Sequence, residues 1–154
     1  MLARPERRAL RGMGRWQMES PFQIGVVVSD LARAMADAEA ALGLEWIGPR
    51  TRVIGGATIR VAFAMTPPPH LELIEGTPGT MWDATTEGGI HHAGYWSDDL
   101  DADSARLAAN GFRLELDLGH ARYHLAPSLQ TRIELIDRSH EPQFYRRWGL
   151  PRRG

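Results

Sequence analysis

The sequence predicts an α+β fold built from two copies of one βαβββ module. A motif occurs twice, as residues 21–31 (PFQIGVVVSDL) and residues 88–100 (GGIHHAGYWSDDL), and one offset of 69 positions aligns the Gln, Gly and Asp-Leu of the first with the His, Gly and Asp-Leu of the second. Each motif leads into an alanine-rich stretch that ends at a glycine, Gly43 or Gly111. Each copy then closes with a similar segment, residues 71–75 (LELIE) and 133–137 (IELID). Such a repeat indicates a duplicated supersecondary unit.

The first module is expected over residues 21–76. Its opening segment is rich in valine and alternates, which predicts a strand. Ser29 or Asp30 can cap the helix that follows, and Gly43 ends that helix. A hairpin is predicted around Gly55-Gly56, and three successive prolines then interrupt regular structure before the last strand. The predicted strands cover residues 23–29, 46–49, 52–54, 58–65 and 70–75.

The second module is expected over residues 89–138, after a linker at 77–88 that shows no clear period. It repeats the order of the first, with a helix over residues 101–110 that stops at Gly111. Residues 1–20 are predicted to be a flexible basic tail without the apolar stretch of a secretory signal. Residues 139–154 are expected to form a C-terminal tail, of which the basic end, residues 146–154, is expected to fray. The predicted strands cover residues 91–96, 112–118, 121–125 and 131–137.

Composition excludes several classes of function. The chain has 154 residues, of which 43% are hydrophobic and 24% charged, as in an ordinary single globular domain. A formal net charge of −1 gives no electrostatic case for binding nucleic acid or an anionic membrane. No apolar run approaches the roughly 18 residues that span a bilayer. With no cysteine, the chain lacks disulfides, thiolate metal ligands and cysteine nucleophiles.

Strand alternation places four polar side chains on the face away from the helices. If the two modules curve around a shared cavity, these groups line it, and two carboxylates facing one cavity need a compensating cation. A divalent metal would supply the charge, and a mixed N/O set suits Zn, Ni, Co, Mn, Fe or Mg without choosing among them. The four groups are Gln23, Glu72, His92 and Glu134.

At these residues the chain resembles the vicinal oxygen chelate superfamily, which includes glyoxalase I, methylmalonyl-CoA epimerase, extradiol dioxygenases, and fosfomycin- and bleomycin-resistance proteins. The resemblance covers about residues 22–138 and is strongest in the two repeated motifs and the two Glu-Leu-Ile segments. It implies paired βαβββ modules forming a cupped, barrel-like mixed sheet around one central metal ion. The implied ligands are Gln23, Glu72, His92 and Glu134. His91 is expected to point the other way, toward a structural contact.

The implied ligand set narrows the chemistry. Extradiol dioxygenases use two histidines and one carboxylate for iron(II), whereas Gln23 stands here at one histidine position and Glu72 adds a carboxylate. The Gln/Glu/His/Glu set is similar to that of glyoxalase I, and the sequence around His92 is closer to methylmalonyl-CoA epimerase. We therefore expect an isomerase, epimerase or lyase that transfers a proton alpha to a carbonyl, through a metal-stabilised enolate. Glu134 is the first choice for the base, with Glu72 as its counterpart.

Other expectations concern partners and location. The partner is expected to be a small-molecule substrate, with Trp96 and Tyr123 as contacts and His70 and His124 as weaker candidates. A non-catalytic protein that binds a small molecule in the same cup is the alternative. Superfamily members frequently dimerise, which leaves both a monomer and a homodimer open. No nucleic acid or membrane partner is expected. We expect the protein to be cytoplasmic.

Overall fold

The computed structural model describes residues 17–153, which form eight strands and four α-helices; the first and third helices were predicted, and the second and fourth were not. Each module consists of a strand, a helix and three further strands, so the duplicated βαβββ organisation is confirmed. The strands are β1 (Gln23–Val27), β2 (Trp46–Ile54), β3 (Ala57–Ala64), β4 (His70–Glu75), β5 (Gly89–Ser97), β6 (Arg113–Asp117), β7 (Ala121–Ala126) and β8 (Thr131–Asp137). The helices are α1 (Leu31–Leu42), α2 (Ala84–Glu87), α3 (Leu100–Ala109) and α4 (Glu141–Trp148).

All eight strands belong to one mixed sheet with the order β2-β3-β4-β1-β5-β8-β7-β6. The first strands of the two modules, β1 and β5, pair antiparallel at its centre, and each pairs in parallel with the last strand of its own module. We call the β1–β5 pair the seam. The sheet curls into a half-barrel, and the turn of the β2–β3 hairpin approaches β6, where a Cβ at Gly55 would lie 3.1 Å from Leu116.

The repeated Asp-Leu of the two motifs marks where each helix begins. The Asp30 carboxylate accepts a hydrogen bond from the Arg33 amide, and the Asp99 carboxylate accepts one from Ala102, so both aspartates are N-caps. The leucine that follows each cap is buried against the convex face of the sheet. The motif therefore combines a strand end, a cap and the first core residue of a helix.

The β2 edge strand differs from the two short pieces predicted. It is one strand of nine residues, and its register with β3 shifts between Ile47 and Arg50, around Pro49. Proline lacks the amide hydrogen that a sheet requires, and edge strands tolerate this at irregularities. The interruption seen in the sequence is thus an irregularity inside one strand.

The expected C-terminal tail contains a helix, and the prediction that its end frays is wrong for residues 146–150. Helix α4 packs into the concave face of the sheet, and Tyr145, Trp148 and Leu150 are buried. Trp148 packs edge-on against Phe63, with the ring centroids 4.7 Å apart. The basic composition of this segment suggested an exposed tail. In the structure the arginines of α4 are exposed, while its aromatic residues pack against the concave face of the sheet.

The N-terminal tail, from residue 17 onward, and the linker between the modules also make contacts with the rest of the domain. The predicted N-terminal tail lies mostly outside the described residues, but Met18 packs against the second module and the Glu19 carboxylate accepts a hydrogen bond from Arg138 at 2.7 Å. In the linker, Trp82 is buried and Asp83 caps the single-turn helix α2. Across residues 17–153, none of the helices has the length and apolar character that crossing a membrane requires.

Candidate functional site

The seam explains the glycine in each repeated motif. Gln23 pairs with Gly94, and Gly25 pairs with His92, so each large polar side chain lies over a glycine of the opposite strand. A Cβ on Gly94 would come within 2.6 Å of the Gln23 Cγ, and one on Gly25 would overlap the His92 ring. The two glycines therefore leave the space in which the glutamine and the histidine lie side by side.

The four predicted polar groups come together at this point. His92 Nε2 lies 3.1 Å from Glu134 Oε2 and 3.4 Å from Glu72 Oε1. The Gln23 amide donates a hydrogen bond of 2.6 Å to Glu134 Oε2, and its nitrogen lies 3.4 Å from His92 Nε2. Each module thus contributes one residue from its first strand and one from its last, as the repeat indicated.

Buried charges determine the protonation of this cluster. Burial disfavours a charge on His92, but the carboxylates of Glu134 and Glu72 outweigh it and raise the pKa of His92 to about 10. Burial likewise opposes the charge on Glu134, yet the His92 imidazolium and hydrogen bonds from His92, Tyr123 and Gln23 lower its pKa. Burial and the two carboxylates raise the pKa of Tyr123, so its hydroxyl stays protonated and donates to Glu134.

His91 fixes the orientation of its neighbour. Its Nε2 lies 2.7 Å from the Met81 carbonyl oxygen, which only accepts, so this nitrogen carries the hydrogen. Burial, the charge on His92 and Arg132 lower the pKa of His91 to about 3, which leaves its Nδ1 as an acceptor. That Nδ1 lies 2.9 Å from His92 Nδ1, which must therefore be the donor. The linker carbonyl thus directs His92 Nε2 toward the two carboxylates.

The cluster lies at the wall of a cavity of about 290 Å³ on the concave face. Trp96 and Tyr123, both predicted contacts, line this cavity, and Trp96 stacks on Phe22 with centroids 3.9 Å apart. Helix α4 contributes Phe144, and the lining also includes two arginines described below. An aromatic cavity with a few polar groups is the usual form of a small-molecule site.

His70 and His124 do not line this cavity, in contrast to the prediction. His70 is buried between the Thr66 carbonyl oxygen at 2.8 Å and the Tyr145 hydroxyl at 3.0 Å, so it anchors α4. His124 contacts the Ser104 hydroxyl at 2.8 Å beneath α3, on the convex side. Both make structural contacts that strand alternation alone did not reveal.

Sequence reasoning missed two cavity arginines. Arg52 on β2 and Arg147 on α4 both line the cavity. Burial and the nearby positive charge of Arg147 lower the pKa of Arg52, while Glu72 and Glu134 act in the opposite direction. Arg147 could be found only by recognising α4, where Phe144 and Trp148 are one helical turn apart.

The cluster contains the nitrogen and oxygen donors that divalent metals take in proteins. Ligand atoms about 2.0–2.1 Å from a tetrahedral ion are about 3.3 Å from one another, close to the 3.1 and 3.4 Å that separate His92 Nε2 from the two carboxylates. Exchanging the amide oxygen and nitrogen of Gln23 would present its oxygen to the same point. Among residues 17–153, however, no three such side chains are already disposed as ligands around one point. Here they bond to one another, and the proton on His92 supplies the positive charge.

Comparison with protein families decides the wider relationship. The model of the glyoxalase/bleomycin resistance protein/dioxygenase superfamily matches residues 22–126. The chain belongs to this superfamily. The match confirms the resemblance drawn from the two motifs and extends from β1 to the end of β7. Glu134 and α4 follow it in the chain. A comparison with curated proteins gives no significant match.

Solved structures share the fold of this superfamily member. A Streptomyces coelicolor methylmalonyl-CoA epimerase variant in complex with 2-nitronate-propionyl-CoA is similar with a TM-score of 0.61 and 22% identity, covering 79% of this chain and 98% of that one. The Mycobacterium tuberculosis methylmalonyl-CoA epimerase is similar with a TM-score of 0.55 and 22% identity, covering 78% and 88%. A hypothetical protein from Bacillus halodurans reaches 0.60 at 16% identity, covering 79% and 95%.

Proposed function

We propose that the protein is a metal-dependent enzyme that transfers a proton at the carbon next to a carbonyl of a small oxygenated substrate, as an epimerase, isomerase or lyase. The observation that carries this proposal is the convergence of two carboxylates, a histidine and a glutamine at the wall of one cavity. The fold shared with methylmalonyl-CoA epimerases supports the same class of reaction.

Gln23, Glu72, His92 and Glu134 would hold the ion. A bound divalent metal would polarise the substrate carbonyl and so acidify the neighbouring C–H bond. His91 keeps the hydrogen on Nδ1 of His92 and thereby leaves Nε2 as the nitrogen that can bind the metal. Such support of a ligand histidine through its second nitrogen is common in metal sites.

The two carboxylates differ in their freedom to move. Glu134 is held by Gln23, His92 and Tyr123. Glu72 contacts only His92 within the cluster, at 3.4 Å, and its side chain is more exposed to the cavity. These contacts favour Glu72 as the group that removes the proton, with Glu134 in the supporting position, and so reverse the order expected from the sequence.

The test is metal analysis of the purified protein combined with deuterium exchange from solvent into a panel of 2-oxo acids, 2-oxoaldehyde thiol adducts and acyl-CoA thioesters. Wild type should contain a divalent metal and exchange at least one substrate. Glu72→Gln should abolish exchange with the fold intact, while Glu39→Gln, an exposed carboxylate on α1, serves as the matched control. Full exchange by Glu72→Gln would remove Glu72 as the base, and the same measurement on Glu134→Gln assigns the remaining role.

The same experiment addresses the alternative of a non-catalytic binding protein. A protein without bound metal, whose Tm does not rise when divalent metals are added, would refute the enzyme. Small-molecule binding in the cavity without any exchange would then establish a binding protein with this fold.

A further inference from the structure

We propose that the substrate is a small carboxylate, and that Arg52, assisted by Arg147, binds its charged group. This inference rests on the proposed function, because it names the class of molecule that the same cavity takes. Both arginines line the cavity that contains Glu72 and Glu134. An anion bound to them would place the rest of a small molecule beside the metal-binding cluster.

Arg52 is a partly buried cation without a partner in the described part of the chain. Within residues 17–153 its guanidinium forms no hydrogen bond or ion pair, although the other partly buried arginines of the sheet do so. Arg132, for example, is held by Glu115 and Glu87 at 2.7 and 2.9 Å. A guanidinium carries five hydrogen-bond donors in a planar fork, and leaving them unpaired in a cavity is unfavourable.

Charge around Arg52 excludes the nearby carboxylates as its permanent partners. Glu134 is bonded to Gln23 and His92, and Glu72 lies beside His92, so both are engaged in the cluster. Arg147 instead adds a second positive charge on the same cavity. Two guanidinium groups on one cavity repel each other unless an anion lies near them, and a carboxylate matches their geometry through paired hydrogen bonds.

The size of the cavity sets the size of the substrate. About 290 Å³ is at the lower end of ligand sites, and α4 occupies part of the cup with Phe144 and Trp148. The reacting part of the substrate is therefore compact, with the carboxylate and the carbonyl only a few bonds apart.

The test is calorimetric titration of the purified protein with malonate, with malonamide as the uncharged probe of similar shape and with inorganic phosphate as a different oxyanion. Malonate should bind, malonamide should bind at least tenfold more weakly, and phosphate should be weaker than malonate. Arg52→Met should weaken malonate about 10- to 100-fold, since charged hydrogen bonds are lost. Arg147→Met, at an exposed position, should weaken it about 2- to 5-fold.

Two further variants keep the outcome interpretable. Arg52→Lys retains the charge but not the paired geometry and should give an intermediate affinity. Arg113→Met removes one exposed charge on β6, outside the cavity, and should bind malonate as wild type does. Unfolding curves check that every variant is folded, which is expected because Arg52 bonds to no other described residue.

Three results would overturn the inference. They are unchanged malonate affinity in Arg52→Met, equal affinity for malonamide and malonate, or tighter binding of phosphate than of malonate. Because these titrations detect binding without turnover, their outcome is separate from that of the exchange assay. Malonate binding through Arg52 in a protein that exchanges no deuterium would refute the proposed reaction and leave the carboxylate site standing.

Discussion

Gly25→Ala is the sharpest test of how the seam forms the site. A Cβ built at Gly25 lies 2.6 Å from both ring nitrogens of His92, whereas ordinary contact begins at 3.4 Å. The ring carbon between these nitrogens would lie closer still, so the ring must move by more than about 0.8 Å. It cannot do so without disturbing its contacts with His91 at 2.9 Å and Glu134 at 3.1 Å. Gly25 has no positive φ, so backbone strain adds nothing to this effect.

The expected destabilisation combines overpacking, about 1–3 kcal/mol, with a weakened hydrogen bond between charged groups, about 1 kcal/mol or more. The total of about 2–4 kcal/mol should lower the Tm of a domain of this size by about 5–15 °C. Thermal unfolding followed by circular dichroism measures this shift, and calorimetry should show weaker metal binding.

Gly94→Ala is the matched control on the opposite strand. Its Cβ would meet the Gln23 Cγ at 2.6 Å, and Gln23 can relieve this contact only by rotating about its Cα–Cβ bond and giving up its hydrogen bond to Glu134. We expect a smaller loss of stability than in Gly25→Ala, about 1–2 kcal/mol, because His92 keeps its contacts. A Gly25→Ala protein whose Tm falls by less than about 2 °C, or no further than that of Gly94→Ala, would refute the reasoning.

Two other predictions concern His92 and α4. In the metal-free protein the pKa of His92 is raised from 6.5 to about 10. Protonated His92 therefore contributes its full stabilisation of the fold below pH 6.5, and this contribution is lost as the pH rises through about 10. Metal binding at pH 7.5 should therefore release about one proton from His92. Calorimetry in buffers of different ionisation enthalpy measures this release. If no proton is released, His92 is not protonated in the metal-free protein. Trp148→Ala should destabilise the protein by about 3–5 kcal/mol in urea unfolding. The exposed Leu42→Ala should change stability by less than about 0.5 kcal/mol, and equal effects would argue against a packed α4.

Local patterns were sufficient to predict the modules and the four clustered residues. Alternation in β1 and β5 assigns Gln23 and His92 to the concave face, because a strand residue's face is fixed by its parity. For the N-cap of the first helix the local sequence offered Ser29 or Asp30, and the structure selects Asp30. Duplication strengthened both inferences, because each signal occurred in two places that had to agree.

Features that depend on contacts between distant segments could not be predicted from the sequence. The pairing of Gly25 with His92 follows from the antiparallel register of the seam, which neither motif specifies alone. Helix α4 is basic, and its burial depends on the cup formed by strands far away in the sequence. The bond between His91 and His92 was also missed, because side chains on opposite faces of a strand are normally separate and the linker carbonyl of Met81 turns His91 into place.

The seam has a consequence for dividing the molecule. Each module holds two of the four clustered residues, so neither half contains a complete donor set. A chain broken at the exposed residues 77–79 would give two fragments whose central strands remain free to pair. Tight metal binding would then require that the fragments reassociate in the correct register, and the metal would serve as a reporter of complementation between them.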